Sequence, residues 1–596
     1  MTTILGLSAF FHDSAAALLR DEHLVAAAQE ERWSRLKSDA RLPIEAARFC
    51  ASEAGLELSD IDWIVFHEKP LRKFERLLAT SLDTFPRGLG QFVQSMGAWL
   101  GQRLWTKSHI AKAFGVEPDR ILFSDHHLSH AASAFFSSPF ERAAVLTADG
   151  VGEWTTTAIY RGVTDAEGSR LELVKDLRFP HSIGLLYSAI TAYLGFEVND
   201  GEYKVMGLAS YGDPTRFADA FDLLCEIGPD ASLALDMRYF AFHRHPTKSF
   251  TPRLEALLGP ARAPGAPLDP PRAGARSSRV DPHDGDDGTR WADIAAALQA
   301  LTERYLLAAA AEAHRVTGES NLCMAGGVAL NSVANHRLQA ESAFRAMFVQ
   351  PAAGDAGGAL GAAQVAAHLG LGLPRTAPMR SAFLGSRETP ASVEHFLSDT
   401  RIRYEPFDDD DLLLADVARR LARGQVGGLF QGRMEWGPRA LGARSIIADP
   451  RTRAMADRVN AKIKFREQFR PFAPVALPED AARYFDGVAD DQLSPFMLSV
   501  VPVTPAGAET LGAVTHVDGT ARAQTVDPSA GPTQARLTAL LEAFRRETGV
   551  GVLLNTSMNL KGEPICRTAA EAYCMFERSG LDFLVLEHCL VTKHAA

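Results

Sequence analysis

Two histidines, His126 and His130, stand four residues apart in a run that continues as a helix through Ala131–Phe135. On a helix these positions share one face, so both imidazoles can reach a single ion. His127 rather than glutamate follows His126, which excludes the zinc-protease arrangement with a general base inside the pair. Two histidines make half a site. Asp149 and Asp355, each in a glycine-rich turn after an apolar strand, are candidates for the other half. Such a mixed nitrogen and oxygen set suits Fe(II), Mn(II) or Zn(II), with open positions for phosphate oxygens. The competing reading is a pair of capping or core histidines, and spacing alone leaves both open.

Glycine turns come next. Gly326-Gly327, in Gly326–Asn331, lies between an apolar strand and a helix, where backbone N–H groups can approach a phosphate at the helix start. Asp355-Ala356-Gly357-Gly358 repeats the device, and Gly201–Gly207 adds Lys204, a point charge for a polyphosphate. One Gly-Gly turn is weak; their repetition points to a nucleotide.

The C-terminal third is richest in cations set among apolar residues. It carries Gly432-Arg433 through Arg439 to Gly442, then Asn460 through Lys464, Arg466 and Arg470 to Phe472. Farther on come His516–Arg522 and Asn555-Thr556-Ser557. A solvated face would mix Lys and Arg with Glu, Gln and Ser; here they alternate with Phe, Trp, Pro and Gly. Cations in apolar surroundings need a compensating anion, and several converging ones favour a phosphate-type ligand. Structural salt bridges are the rival reading.

The elements that must hold these residues read as follows. Residues 3–8 and Leu24–Ala28 are strands, Ile44–Gly55 a helix and Ile61–Phe66 a strand. Ala143–Thr147 and Thr155–Tyr160 form a second strand-turn-strand unit around Asp149–Gly152. Apolar spacing at Ile294, Leu298, Leu301 and Tyr305 predicts a helix over 293–316, leading into a strand at Asn321–Ala325 and a helix from about Leu330. The repeated strand-turn-strand hints at a duplication. The Pro/Gly/Ala-rich stretch 259–290 reads as a flexible insertion, and a break near 370–380 separates domains over 1–372 and 380–596.

Length and composition fit two or three globular domains: 596 residues, 46% hydrophobic, 23% charged, net charge −11. The acidic balance argues against nucleic acid as a partner. Six scattered cysteines without a C-x-x-C pair suggest buried, reduced thiols of a cytoplasmic protein. The N-terminus has no basic region of a signal peptide. The stretch 88–105, broken by Gln91, Gln94, Gln102 and Arg103, is an amphipathic or buried helix rather than a membrane span.

With these motifs in hand, residues 1–595 resemble the O-carbamoyltransferases of antibiotic tailoring and nodulation-factor modification. The likeness rests on Ser8-x3-His12-Asp13-Ser14-Ala15-Ala16, Glu30-Glu31-Arg32, His126–Phe135, Gly201–Gly212 and Gly326–Asn331. It continues through Gly432–Arg451, Arg470–Pro474 and Asn555–Pro564. Ser210 and Met558 depart from the family's usual proline and phenylalanine. The resemblance implies an α/β fold: a duplicated actin/sugar-kinase-like domain, similar to tRNA threonylcarbamoyl transferases, followed by an α+β YrdC-like domain.

It implies that the second domain makes carbamoyl adenylate from carbamoyl phosphate and Mg-ATP. The first domain then passes the carbamoyl group to a hydroxyl of a small-molecule acceptor. Its implied metal ligands are His126, His130, Asp149 and Asp355. Carbamoyl phosphate contacts fall on Arg439, Lys464, Arg470, Arg522, Asn555 and Ser557, and nucleotide contacts on Lys204, Gly207, Gly326, Gly327 and Asn331. His12 is the candidate acid/base. A homodimer is expected, with neither membrane nor nucleic acid as partner. The alternatives are a tRNA threonylcarbamoylation-type enzyme, a sugar kinase, or a non-enzymatic nucleotide-dependent regulator.

Overall fold

Strand β1 (Thr3–Ser8) is buried along its whole length, as its unbroken apolar run requires in a sheet covered on both faces. A computed structural model describes residues 1–101, 103–268, 288–488 and 491–593. Most of the proposed insertion, 269–287, lies outside the described residues. Met1–Glu30 and Ser38–Met379 form one compact unit; Glu31–Lys37 and Arg380–Ala596 form the other.

In the first unit, β1, β2 (Ala15–Arg20) and β3 (His23–Gln29) form an antiparallel meander. Strands β4 (Trp63–Phe66) and β5 (Ile121–Phe123) run parallel to β1 on its other side. The order is β3-β2-β1-β4-β5. A second sheet repeats it: β6 (Arg142–Ala148), β7 (Thr155–Asp165) and β8 (Gly168–Arg178) make the meander. After a short ribbon of β9 (Cys225–Ile227) and β10 (Leu233–Leu235), β11 (Asn321–Ala325) and β12 (Ala346–Val349) add in parallel. Its order, β8-β7-β6-β11-β12, is the same plan. The predicted second strand, Leu24–Ala28, is in fact the third; Ala15–Arg20 precedes it, an alanine-rich run with little intrinsic β signal. The expected long helix spans Thr289–Thr317, and the 88–105 stretch holds an amphipathic helix, Leu89–Gly101, that exposes Leu89, Val93 and Leu100.

Two helices carry the site of this unit: His126–Phe135, directly after β5, and Asp355–Gln364, after β12. They cross closely because Gly361 has no Cβ; one there would overlap the Ser129 carbonyl oxygen. Gly6 does the same for β1, where a Cβ would strike the Ala359 carbonyl.

The second unit is built on one mixed sheet. In chain order its strands are β13 (Glu405–Pro406), β14 (Gly427–Phe430), β15 (Arg444–Ala448) and β16 (Ala473–Ala476). Beyond a small ribbon of β17 (Val501–Pro502) and β18 (Thr520–Ala521) come β19 (Gln524–Thr525), β20 (Val552–Ser557), β21 (Phe583–Leu586) and β22 (Cys589–Thr592). The sheet order is β13-β22-β21-β14-β15-β20-β16-β19. Neighbouring residues face opposite sides, as strand alternation demands. Ile447, Leu553 and Val585 pack with the Asp410–Ala422 and Pro532–Thr548 helices, while Ile446, Leu554 and Leu584 join a second core with Val459 and Phe576. Glu31–Lys37 docks into this unit through Arg35, whose guanidinium donates to the Ile565 (2.7 Å) and Pro564 (2.8 Å) carbonyls.

All six cysteines are free, and five are buried; Cys574 is exposed, a departure from the expectation of buried thiols. Among the described residues no helix is long and apolar enough to cross a membrane.

Candidate metal centre and anion site

The His126–Phe135 helix starts against a carboxylate. Glu153, from the turn between β6 and β7, accepts from the His126 backbone N–H at 3.1 and 3.2 Å, the favoured charge for a helix N-terminus. That fixes the phase of the helix and sends both predicted histidines toward the end of β6. His126 Nε2 lies 3.0 Å and His130 Nε2 3.1 Å from Asp149 Oδ2, and the two nitrogens are 3.1 Å apart. Asp355 Oδ1, from the first turn of its own helix, is 3.7 and 3.6 Å from them. His126, His130 and Asp355 are buried. His127 turns away, bonds the Thr147 hydroxyl at 2.8 Å, and is held down to about 3 by burial and its two histidine neighbours.

These four side chains fit a divalent ion. Donors about 2.0–2.1 Å from a metal are separated by ~2.8–3.4 Å at octahedral or tetrahedral angles; His126, His130 and Asp149 fall within that range, and Asp355, at 3.6 and 3.7 Å, lies just beyond it. Hydrogen bonding alone leaves the cluster incomplete: Nδ1 of both His126 and His130 is buried without a hydrogen bond. The electrostatics agree. Burial opposes ionisation of Asp149 and Asp355, but the facing histidines outweigh it and hold both carboxyls well below their usual range. Burial likewise opposes charge on His130, yet Asp149 and Asp355 push it up to about 9. A divalent cation would replace those protons as the counter-charge.

His12 stands at the rim. Its Nδ1 bonds Asp13 at 3.1 Å and its Nε2 is 3.9 Å from Asp355 Oδ2. Burial lowers its basicity, but Asp355, Asp13 and Asp149 prevail and raise it to about 10.

The glycine turn closes on the same place. Gly326 has φ +95°, and a Cβ there would overlap the Ala148 carbonyl, so only glycine lets this turn approach the end of β6. Gly327 N–H then donates to Asp149 Oδ1 at 3.3 Å. Asn331 caps the Ser332–Glu341 helix through the Ala334 N–H and exchanges hydrogen bonds with Gln299. Lys204 and Gly207 lie on the Glu202–Ala209 helix. That helix meets the Ser332 hydroxyl through Met206, and the Lys204 ammonium sits 5.8 Å from the Phe196 ring centroid.

In the second unit Arg439, Lys464, Arg466, Arg470 and Arg522 converge. Burial, and then Arg439, Arg466 and Arg470, hold the Arg522 guanidinium well below its ordinary pKa. Arg522 has no ion-pair partner among the described residues, and its Nε is buried and unbonded. Lys464 is also held low, by burial first and then Arg466 and Arg470. Its ammonium donates to the Ser557 (2.9 Å) and Asn559 (3.0 Å) carbonyls and to Asn559 Oδ1 (2.7 Å). Arg470 has a longer, 3.5 Å pairing with Glu467.

The loop bearing Arg439 is shaped by buried Glu435, which accepts from the Leu441, Ala443 and Arg444 N–H groups. Asn555 secures it by donating to the Ala440 carbonyl (3.2 Å) and to Gln524 (2.9 Å). Arg32 donates to the Gly437 carbonyl at 3.0 Å. No spacing rule connects Glu153 or Gln524 to the residues they hold; Glu435 and Asn559 lie within the Gly432–Arg451 and Asn555–Pro564 motifs, where sequence alone gives them no role.

Residues 3–364 match the family described as the carbamoyltransferase N-terminus, and residues 418–593 the carbamoyltransferase C-terminus. An uncharacterized protein of Synechocystis sp. is 44% identical over 100% of this chain and 97% of its own length. Nodulation protein NolNO of Sinorhizobium fredii is 38% identical over 98% of this chain and 80% of its own length. A 3'-hydroxymethylcephem-O-carbamoyltransferase of Amycolatopsis lactamdurans is 38% identical over 49% of this chain and 52% of its own length.

Proposed function

We propose a two-step reaction for this chain, which belongs to the carbamoyltransferase family and is an enzyme of carbamoyl-group transfer. In the second unit, read as YrdC-like, water cleaves carbamoyl phosphate to carbamate and phosphate. A carbamate oxygen then attacks the α-phosphorus of ATP, and pyrophosphate leaves. In the first unit, read as actin/sugar-kinase-like because its two sheets share one strand plan, an acceptor hydroxyl attacks the carbamoyl carbon of the adenylate and AMP leaves. The acceptor is a hydroxylated natural product or sugar, a reading supported by the hydroxymethyl acceptor in one relative's name.

The observation that carries this reading is the arginine cluster. Arg439, Arg466 and Arg470 repel Arg522, which has no carboxylate partner among the described residues, and such a group calls for an anion of several charges. Two substrate phosphates and a departing pyrophosphate supply it. Arg439, Arg470 and Arg522 would neutralise the phosphates, while Lys464 holds the Ser557–Asn559 turn and Asn555 the Arg439 loop.

His126, His130, Asp149 and Asp355 would hold the divalent ion, Fe(II) first among candidates. When bound it supplies a Lewis acid for charge on the leaving AMP. Burial of His126, His130 and Asp355 keeps water from three of the four side chains, which strengthens the charge interactions there. The Gly326-Gly327 turn, Asn331 and Lys204 would receive the nucleotide, and His12 would take the hydroxyl proton.

Product identity tests the reading. Mixing the protein with carbamoyl phosphate and ATP should release pyrophosphate only when both are present. ADP would indicate a kinase, and neither product a regulator.

A further inference from the structure

The first unit holds a cavity of about 630 Å³ lined by Arg87, Arg238, Arg244 and Arg253 with Leu235, Asp236 and Met237. Four arginines against one aspartate is a strongly basic lining for a chain whose net charge is −11. None of the metal ligands, nor His12, belongs to it.

The backbone sets these walls in place. Beyond β10, Phe240 pairs with Phe250, the Ala241 N–H donates to the Ser249 carbonyl at 3.0 Å, and the Thr251 N–H donates to Tyr239 at 2.9 Å. Phe240 is fully buried and anchors the closed loop. Arg238 precedes that loop, Arg244 lies within it, and Arg253 follows on the Pro252–Leu258 helix. Arg87 comes from the turn ahead of the Leu89–Gly101 helix. The one carboxylate is already taken, since Arg238 Nε lies 2.9 Å from both Asp236 oxygens. Arg87, Arg244 and Arg253 form no ion pair among the described residues.

We propose that this cavity binds the acceptor through an acid group (carboxylate, phosphate or sulfate) held by Arg87, Arg244 and Arg253. The acceptor role rests on the carbamoyl-transfer reading of this unit. Guanidinium forks match the oxygens of such groups two at a time. The volume is that of a small-molecule site, for which roughly 300–1,000 Å³ is usual, and is too large for an inorganic ion alone.

The cavity wall also leads to the metal ligands. Leu235 N–H donates to His181 Nδ1 at 3.1 Å, and the adjacent Ser182 hydroxyl donates to the Asp149 and Gly150 carbonyls at 3.1 and 2.7 Å. Beside it, the Phe242 ring centroid is 6.4 Å from that of Phe179. The Arg76 guanidinium sits 5.1 Å over Phe179 and donates to the Gly152 carbonyl at 2.7 Å. An acid group on the arginines is therefore fixed relative to the turn that presents Asp149, which restricts where the acceptor hydroxyl can lie.

Equilibrium dialysis of labelled inorganic phosphate against full-length Arg439→Ala/Arg522→Met protein tests this, because that background disables the anion site of the second unit. Adding Arg244→Gln should weaken phosphate binding by about tenfold or more, the loss of a charge-assisted pair, and Arg244→Lys should restore part of it. Glucuronate should displace the phosphate and glucose should not. No phosphate bound, or equal affinity with Arg244→Gln, would overturn the anion site. Displacement by neither sugar, or by both alike, would overturn the acidic acceptor. Pyrophosphate release by the wild type is scored separately, so failure of the two-step reaction would leave the dialysis result standing.

Discussion

The Nε2 atoms of His126 and His130 lie 3.1 Å apart, and both face the same oxygen of Asp149. Two N–H groups directed at one oxygen from that distance would crowd each other's hydrogens, and neither Nδ1 is within hydrogen-bonding distance of a partner that would favour the other tautomer. A cation between the three atoms removes the conflict. The same arrangement ranks the residues around it, since whatever orients His126 would also orient an ion held there.

Glu68 is one such residue. Its Oε2 lies 3.9 Å from His126 Nδ1 and 2.6 Å from the Lys73 ammonium, and both partners are buried. Carboxylates behind a metal-bound histidine commonly contribute about 10–100-fold to affinity. Glu68→Gln should weaken metal binding by that order in chelator competition. Unchanged affinity would leave Glu68 as the counter-charge of Lys73 alone.

Gly361→Ala should be destabilising despite alanine's better helix propensity. Its methyl would overlap the Ser129 carbonyl and push the Asp355–Gln364 helix from the His126–Phe135 helix. Overpacking of this kind costs about 1–3 kcal/mol, so the melting temperature should fall, and metal affinity with it as Asp355 moves from the histidines. Gly90→Ala, where a Cβ meets nothing within 4 Å, should be neutral or stabilising.

Arg522→Met should separate binding from folding. The native guanidinium is half-buried among like charges, so its removal relieves repulsion and should leave the anion-free protein at least as thermally stable. Phosphate at 100 times its Kd stabilises a binding protein by about 2.7 kcal/mol. Wild type should show a shift of that kind in thermal denaturation, and Arg522→Met a much smaller one. Equal shifts would remove Arg522 from the anion site.

Arg439→Ala should lose adenylate formation yet still carbamoylate acceptor when supplied with pre-made carbamoyl adenylate. Failure of that rescue would break the assignment of Arg439 to the first step.

What the sequence reveals about these sites depends on whether local geometry carries the signal. The i, i+4 spacing of His126 and His130 and the glycine turns at Asp149 and Asp355 predict side chains that the fold does bring together. Glu68 and Glu153 arrive from segments with no fixed offset to the histidines, so spacing is silent about them. Lys464 reads as a cation for a ligand, yet its ammonium is bonded to the Ser557 and Asn559 carbonyls, a partnership set by the end of β20. Arg466, between Lys464 and Arg470 in sequence, adds to the repulsion at Arg522. Strand order was legible only as a repeated strand-turn-strand, because Ala15–Arg20 lacks the β-branched residues that mark a strand. The grouping of Glu31–Lys37 with the second unit rests on Arg32 and Arg35 meeting carbonyls hundreds of residues away, which chain order does not reveal.

The most direct test of two chemistries in two units is His130→Ala given carbamoyl phosphate, ATP and a hydroxylated acceptor, with products followed by mass spectrometry. Loss of metal with carbamoyl adenylate accumulating and acceptor left unmodified is the predicted result. Equal loss of adenylate and carbamoylated acceptor, or acceptor modified at the wild-type rate, would contradict it.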